Sequence, residues 1–346
     1  MERMAYKLFV HLSKISRVEI VKWGGSKRYL PIVLPFMFIK SIWILLRRRD
    51  INLIYIQDAF LAPMGLLLKL IFRKPVVATV HALDITYKNR IYQLIIPKCL
   101  RKLDRVIAVS SATAEICLSR GVSKDKISVI PNGISDDFYI EESKDKIKRK
   151  LGDLINLNLE NKKIILSVGR LVERKGFHWF IESVLPKMVK TEKDIVYLIA
   201  GDGPLKNKIR ESIEKNRMEK YVFLLGKVSD EILKLLYNSA DVFVMPNIQV
   251  EGDIEGFGIV ALEAGSCGIS VVASNLGGLK DAVIPYKNGF LVEAYDVDGF
   301  INTISEILRN QDKKFREEIR EFTLKNFGWE SIAMRYLELF SSSLCP

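Results

Sequence analysis

Residues 164–176, IILSVGRLVERKG, hold the transition that decides the fold, because a short apolar run stops there at a glycine. Ile164 to Val168 are mostly β-branched or aliphatic, which favours a buried strand. Gly169 permits a sharp turn where that strand ends. Arg170 and Lys175 follow, and they offer phosphate oxygens a planar fork and a compact charge. The stretch predicts a buried parallel strand with an anion-binding loop at its carboxyl end, with a solvated basic loop as the alternative.

Short apolar runs alternate with amphipathic stretches on both sides of this strand. That alternation is typical of βαβ units and parallel sheets. We predict an α/β protein of two Rossmann-like domains, 1–150 and 151–328, whose parallel sheets face each other across a cleft. A helix at 329–346 is expected to pack back on the first domain. The expected strands are 51–56, 76–80, 106–109 and 127–130 in the first domain, and 164–168, 195–200, 222–225, 242–245, 271–273 and 290–292 in the second.

Two further glycine motifs follow expected strands in the second domain. Gly201-Asp202-Gly203-Pro204 lacks the third glycine of a dinucleotide fingerprint, since Lys206 stands there, so nicotinamide chemistry is disfavoured. In residues 255–265, EGFGIVALEAG, two glycines precede a helix whose free N–H groups and dipole favour an anion. Glu263 lies about two turns beyond Glu255 and is suited to accept hydrogen bonds from paired ribose hydroxyls.

These motifs together resemble a known family. GRLVERKG (169–176), GDGP (201–204) and EGFGIVALEA (255–264) are similar, in order and spacing, to the retaining glycosyltransferases of family four, which have the GT-B fold. TVHALD (79–84), VIAVSSAT (106–113) and VIPNGI (129–134) resemble the N-terminal domain of that family. The resemblance covers about residues 50–340. It implies transfer of a hexose from a UDP- or GDP-sugar to a lipid-linked or glycan acceptor, with retention of anomeric configuration.

The resemblance also implies roles for single residues. Arg170 and Lys175 would bind the donor diphosphate, Glu255 the hydroxyls of the donor sugar and Glu263 the nucleotide ribose. His81, at the end of an expected strand, would lie near the reacting centre. Further donor contacts, largely through the backbone, would come from Gly169, Gly201, Gly203, Gly226, Val228, Phe257, Gly258, Ile259 and Val260.

No cofactor is expected beside the nucleotide-sugar substrate, and no metal. Fixed cations and a helix N-terminus can stabilise a departing diphosphate without one. The acidic residues between Glu251 and Glu255 are a rival site for Mg²⁺, but spaced acids in a loop are usually solvated.

The start of the chain departs from the family pattern of strand, glycine-rich loop and helix. Residues 6–15 already predict the first helix and residues 18–21 the second strand, so the first strand, expected at the centre of the sheet, and its loop are expected to be missing. Two explanations stay open. The chain is truncated and binds donor with little or no activity, or residues 7–12 form the first strand with a degenerate loop.

Charge is unequally distributed along the chain. Residues 1–150 hold 28 Lys and Arg against 13 Asp and Glu, a net +15, and the remainder carries −3. This predicts a first half that faces an anionic membrane surface, with the protein cytoplasmic and peripheral at the inner face. A basic membrane- or nucleic-acid-binding protein is the rival, but no basic stretch with interleaved aromatic residues supports nucleic-acid binding. The four scattered cysteines form no CxxC pair and fit a reducing cytosol.

Residues 30–46, LPIVLPFMFIKSIWILL, are the most membrane-like stretch. Lys40 lies at the middle, where a lysine costs a spanning helix about 2.5 to 3.5 kcal/mol. Pro31 and Pro35 disfavour a continuous helix through its beginning. We expect a buried or surface-docking amphipathic helix here, and the same for residues 61–72.

Overall fold

The computed structural model describes residues 2–25, 27–310 and 312–344. The chain forms two compact units, Met1–Gly133 with Trp329–Pro346, and Ile134–Gly328. Residues 134–150, which the sequence places in the first domain, therefore belong to the second unit. The first unit contains, in chain order, α1 Glu2–Ile15, α2 Leu30–Arg47, β1 Ile54–Ile56, α3 Ala62–Phe72, β2 Val76–Val80, α4 Ala82–Ile85, α5 Arg90–Lys102, β3 Arg105–Ala108, α6 Ser111–Ser119 and β4 Ile127–Val129.

The sheet of the first unit is parallel, with the order β1-β2-β3-β4. Successive side chains of β2 point to opposite faces. Val76, Ala78 and Val80 pack in one hydrophobic cluster with Leu100 of α5, whereas Val77 packs in another with Leu8 of α1. The sheet thus lies between two layers of helices, with its strands buried on both faces as parallel strands usually are.

Two expectations for the N-terminal region are wrong. Residues 18–21 form no strand, and residues 7–12 belong to helix α1, whose Leu8 and Leu12 cover the sheet. Within the described residues each of the four strands pairs with the next, so the sheet is continuous and β1 is an edge strand. The described sheet therefore has no unpaired backbone in its middle, although loss of a central first strand was expected to leave some there.

Helix α2 is continuous from Leu30 to Arg47 despite its two prolines. Pro31 lies in the first turn, where the missing N–H has no intrahelical partner to lose. Pro35 lies just beyond it and costs one hydrogen bond of a helix of 18 residues. Among the described helices α2 alone has the length and hydropathy to cross a membrane, with a mean hydropathy of 1.8.

The second unit is a doubly wound sheet with helices on both faces. All its strands are parallel in the order β10-β9-β8-β5-β6-β7. Its elements are α7 Lys144–Ile155, β5 Lys163–Val168, α8 Phe177–Trp179, a π-helical turn Phe180–Val184, α9 Leu185–Thr191, β6 Ile195–Ala200, α10 Lys206–Lys215, β7 Val222–Gly226, α11 Asp230–Ser239, β8 Val242–Met245, α12 Ile259–Ser266, β9 Val271–Ser274, α13 Leu279–Ala282, β10 Gly289–Val292, α14 Val297–Arg309 and α15 Lys313–Phe327.

Helix α7 explains why residues 134–150 belong to the second unit. Lys144 and Lys148 both pair with Asp241, which lies before β8 and has a side chain only 8% exposed. The N–H of Ile140 donates to Asn238 of α11 at 3.0 Å. Partners nearly 100 positions away fix this segment, and a sequence pattern read locally does not show them.

The last helix, α16 Trp329–Ser342, belongs to the first unit. It packs beside α1, where Ile332 and Tyr336 join the cluster of Leu8 and Leu12. The Tyr336 hydroxyl lies 3.1 Å from Thr79 Oγ1 of β2. The chain therefore returns to its first unit at its end.

Candidate functional site

The order of strands in the second unit predicts where a ligand binds. Strands β5 and β8 are neighbours in the sheet, but β5 is followed in the chain by β6 on one side and β8 by β9 on the other. This is the topological switch point, where the loops after the two strands diverge and leave a crevice. The loops concerned are residues 169–176 after β5 and residues 246–258 after β8.

The two loops contact each other through their backbones. The N–H of Ile248 donates to the carbonyl of Arg174 at 3.0 Å. Gly176 has a φ of +63°, and a Cβ at this position would overlap the carbonyl oxygen of Pro246. Glycine is therefore required at 176 both for its conformation and for the close approach.

Four charged side chains meet where these loops touch. Lys175 Nζ lies 2.7 Å from Glu255 Oε2, and Arg174 Nε lies 3.5 Å from the same oxygen. Arg174 Nη1 also donates to both carboxylate oxygens of Asp253, at 3.0 and 3.1 Å. The side chains of Lys175 and Glu255 are 7% and 13% exposed. The sequence-predicted residues Lys175 and Glu255 are thus brought together as a nearly buried ion pair.

The pKa of Glu255 shows which influence prevails in this cluster. Burial by itself raises the pKa, but Lys175, with Arg174 and a hydrogen bond from Asn247 at 3.1 Å, outweighs it, so the pKa lies below its ordinary value. Glu255 is therefore ionised at neutral pH and can accept hydrogen bonds from hydroxyl groups.

Helix α12 begins where the loop after β8 ends. Gly258, at its N-cap, has a φ of +81°, and the first N–H groups of the helix, including those of Ile259 and Val260, need acceptors from outside it. Phe257 is buried just before this point. The helix start therefore presents donors and a partial positive charge suited to a phosphate.

Glu263 lies one turn further into α12 and is half-buried. The hydroxyl of Tyr237, in α11, donates to Glu263 Oε2 at 2.7 Å. Burial first, and then Glu263, raise the pKa of Tyr237 well above its ordinary value, so the phenol stays protonated as the donor. This hydrogen bond orients the Glu263 carboxylate, which is predicted from the sequence to bind the ribose of the nucleotide.

The other residues predicted to contact the nucleotide sugar lie at the carboxyl ends of neighbouring strands in the same sheet. The N–H of Gly169 donates to Ala200, and that of Gly201 to Gly226, at 3.0 and 2.8 Å. Leu171 donates to Asp202, beside Gly203, at 3.1 Å, and Val228 follows two residues after β7 ends. Arg170 is exposed beside Gly169. The glycine turns therefore form a connected rim along β5, β6 and β7.

The acidic loop from Glu251 to Glu255, the candidate site for Mg²⁺, has two of its carboxylates paired with cations. Asp253 and Glu255 contact Arg174 and Lys175, and Glu251 is exposed. Across residues 2–25, 27–310 and 312–344 no group of three or more His, Cys, Asp or Glu is placed to hold a metal ion.

His81 belongs to the first unit, at the carboxyl end of β2 and the start of α4. Burial lowers its pKa, and its Nε2 is buried without a hydrogen-bond partner among the described residues. Asp84 Oδ2 accepts from the N–H groups of His81 and Ala59, at 3.0 and 3.1 Å. Burial first, and then Asp58, raise the pKa of Asp84 to about 8. Asp84 is thus a neutral acid that ties the ends of β1 and β2 together.

Sequence reasoning missed four residues that hold predicted site residues in place: Arg174, Asn247 and Tyr237 in the second unit, and Asp84, which binds the backbone of His81, in the first. Arg174 lies within the quoted motif between the two predicted cations, and Asp84 within the TVHALD motif, so their positions were visible. Asn247 and Tyr237 act on carboxylates 8 and 26 positions away. A local pattern carries no signal of those contacts.

Two family profiles match the chain. The profile described as glycosyl transferases group 1 matches residues 153–325, and that described as glycosyltransferase family 4 matches residues 10–138. A glycosyltransferase of Methanocaldococcus jannaschii is 30% identical over 310 residues, which cover 85% of this chain and 76% of that protein.

Two other similarities extend the comparison. The phosphatidylinositol N-acetylglucosaminyltransferase GPI3 subunit of Saccharomyces cerevisiae is 28% identical over 247 residues, which cover 70% of this chain and 52% of that subunit. The chain thus spans about half the length of that relative. HepE of Anabaena, solved in complex with UDP, superposes with a TM-score of 0.73 at 21% identity, covering 88% of this chain and 82% of HepE.

Proposed function

This chain belongs to the group 1 glycosyl transferases and is a family-four glycosyltransferase with the GT-B fold, and from that premise we propose its reaction. It transfers a hexose from a UDP- or GDP-sugar to a lipid-linked or glycan acceptor, and the anomeric configuration is retained. The observation that carries the proposal is the Lys175–Glu255 pair at the switch point of the second unit, with the start of α12 in the same loop.

Cationic groups and carboxylates bind different parts of the nucleotide-sugar donor. Arg170, Lys175 and the N–H groups at the start of α12 bind the diphosphate, because all three carry positive charge or partial positive charge. Glu255 accepts hydrogen bonds from the sugar, and Glu263, oriented by Tyr237, accepts them from the ribose. Backbone groups at Gly201, Gly226 and nearby positions contact the remainder of the nucleotide.

The reaction breaks the bond between the anomeric carbon and the β-phosphate oxygen, forms a bond from that carbon to the acceptor hydroxyl oxygen, and passes the hydroxyl proton to the departing nucleoside diphosphate. Negative charge grows on the β-phosphate as the first bond breaks, and fixed cations stabilise it without reorganisation. No divalent ion is needed in this scheme. His81 is the group of the first unit that we assign to the reaction.

The acceptor and location follow from the first unit and from the relatives. The GPI3 subunit is named for transfer to phosphatidylinositol, which is a membrane lipid. The net +15 of residues 1–150 suits an anionic lipid surface. We therefore place the protein in the cytoplasm, peripheral at the inner face of the membrane.

A calorimetric panel of UDP-, GDP- and ADP-sugars tests donor binding. The protein is expected to bind one nucleotide sugar, and Lys175→Met to weaken that binding by about tenfold to a hundredfold, since a charged hydrogen bond to phosphate contributes about 1.5 to 3 kcal/mol. Lys208→Met is the matched control, because Lys208 pairs with Glu173 on the surface. Absence of binding to every sugar would overturn the proposal. Binding without transfer would instead support the alternative, a protein that holds donor only.

A further inference from the structure

Helix α2 has an apolar surface on the side where a surface helix is normally polar. Its buried residues, Val33 and Leu45, lie on the face that packs on the first unit. Five large apolar residues recur at intervals of three and four and are 52 to 74% exposed: Ile32, Phe36, Ile39, Trp43 and Leu46. At 3.6 residues per turn they fall within an arc of about 80°, opposite the buried face.

The neighbouring helices continue this apolar surface. Helix α3 exposes Leu67, Leu70 and Ile71, and α5 exposes Ile91, Leu94 and Ile95. A groove of about 590 Å³ runs between α2, α3 and α5, and its lining is almost wholly apolar, including Phe38, Met64 and Tyr92. An apolar surface of this extent is typical of a docking site rather than of ordinary solvent contact.

The charges on the same helices indicate what docks there. Helices α2, α3 and α5 together contain seven Lys or Arg and no Asp or Glu. Lys98 and Lys102 continue the exposed line of Ile91 and Ile95 along α5. Arg47 stacks over the Trp43 ring, with 4.0 Å from its guanidinium carbon to the ring centroid. Apolar side chains bordered by cations and by an amphipathic tryptophan match the boundary between acyl chains and anionic headgroups.

We propose that the α2–α3–α5 surface inserts into the interface of an anionic phospholipid bilayer, with α2 lying in the membrane plane. The stripe from Ile32 to Leu46 enters the acyl region and the groove takes hydrocarbon. Lys40, Arg47, Lys98 and their neighbours contact headgroup phosphates. The inference rests on the proposed function, since it specifies how the enzyme reaches a lipid-linked acceptor.

The in-plane arrangement follows from how α2 is held. Its two buried residues, Val33 near one end and Leu45 near the other, both lie outside the exposed stripe. Lys40 is exposed on the flank of the stripe, where it can extend to the headgroups only if the helix lies flat. A crossing orientation would place Lys40 at the centre of the bilayer, where a charge is costly.

Flotation of the full chain with vesicles tests the surface. Vesicles of phosphatidylcholine and phosphatidylglycerol at three to one are expected to bind the protein at least a hundredfold more strongly than phosphatidylcholine alone, because each cation near an anionic surface contributes about fivefold. The double variant Ile39→Asn/Trp43→Asn is expected to weaken this binding by tenfold or more. The control is Leu154→Asn/Tyr286→Asn, which removes two exposed apolar residues of the second unit and leaves binding unchanged.

Fluorescence quenching tests the depth. Ile39→Trp in a Trp43→Phe background, read against Trp43→Phe alone, is expected to be quenched best by lipids brominated near the headgroup. Quenching best by bromines near the chain ends would show that α2 crosses the bilayer and overturn the in-plane arrangement.

The remaining outcomes are also decisive. Failure of the protein to bind the anionic vesicles, or equal binding by the two double variants, would overturn the proposal. So would a stable dimer that the Ile39→Asn/Trp43→Asn variant abolishes, since a second copy would then cover the surface. Donor affinity measured on the same samples separates the two proposals, because loss of vesicle binding with intact donor binding overturns only this one.

Discussion

In the second unit the cations of the site face acids, whereas in the first unit three surface helices carry cations and no acids. Lys175 and Arg174 are held by Glu255 and Asp253 and are largely buried. Lys40, Lys98 and Lys102 are exposed beside apolar side chains. Paired, buried charges have fixed positions, which chemistry on a diphosphate needs. Exposed cations can change position, and their contributions to binding add up, which suits an extended anionic surface.

Two carboxyl groups repeat this contrast between the units. Glu255 has cationic neighbours, and its pKa is lowered although burial acts against this. Asp84 is buried beside Asp58, and its pKa is raised to about 8. Glu255 therefore stabilises the fold at pH values above the pKa that it has in the unfolded chain, and this contribution is lost as the pH falls. Asp84 stabilises the fold best at low pH, and its contribution is lost as the pH rises toward 8.

The largest expected effect on activity comes from removing the charge of Glu255. Glu255→Gln is expected to lower kcat by about a hundredfold to a thousandfold, the range found when one preorganised electrostatic contact is lost. Steady-state kinetics with the donor found by calorimetry measure it. Glu251→Gln changes an exposed acid of the same loop and is expected to retain activity. Similar losses in both variants would contradict a specific role for Glu255.

Asp84 gives a prediction about stability rather than activity, and it depends on pH. Between about pH 4 and pH 8 the unfolded chain ionises Asp84 while the folded chain keeps it protonated, so wild-type stability falls by roughly 1.4 kcal/mol per pH unit relative to Asp84→Asn. Asparagine keeps an oxygen for the two N–H groups but does not titrate. Denaturant unfolding of both proteins across this range measures the difference, and parallel stability curves would show that Asp84 is ionised in the fold.

The smallest expected effect concerns the tyrosine behind Glu263. Tyr237→Phe removes the hydroxyl that orients this carboxylate. It is expected to raise the KM for the nucleotide sugar by about fivefold to tenfold, less than the loss of a direct charged hydrogen bond, because Tyr237 acts on the sugar nucleotide only through Glu263. Tyr197→Phe is matched to it, since Tyr197 is equally buried and bonds Ser167 instead. If the donor KM rises equally in both variants, the effect is one of packing rather than of orientation.

The fold was predictable where local signals suffice. The strand ending at Val168 with Gly169 after it and the alternation of strands and helices predict two Rossmann-like domains, and the resemblance of the motifs to a known family implies the GT-B fold, which the structure and its relatives confirm. The strand predicted at residues 18–21 is wrong because their apolar pattern serves packing rather than strand pairing, with Val18 against the cluster of Leu8 and Leu12. The predicted domain boundary at residue 150 is wrong because α7 is fixed to the second unit by its ion pairs with Asp241, which local composition does not show.

The sequence predicted which residues form the site, but it did not predict which of them form an ion pair. Lys175 and Glu255 each follow a strand, and their motifs identify both. That they form one ion pair depends on β5 and β8 being adjacent at the switch point, which only the sheet order shows. The apolar stripe of α2 was visible as composition, whereas its exposure depends on which face packs on the unit.

Transfer of label from the bound nucleotide sugar to lipid tests the central claim most directly. The wild-type protein, incubated with labelled donor and extracted membrane lipid, is expected to place label in the lipid fraction, with the anomeric configuration of the donor retained in the product. Glu255→Gln should abolish most of that signal and Glu251→Gln should not. Label found only as free sugar, or a product of inverted configuration, would contradict the account.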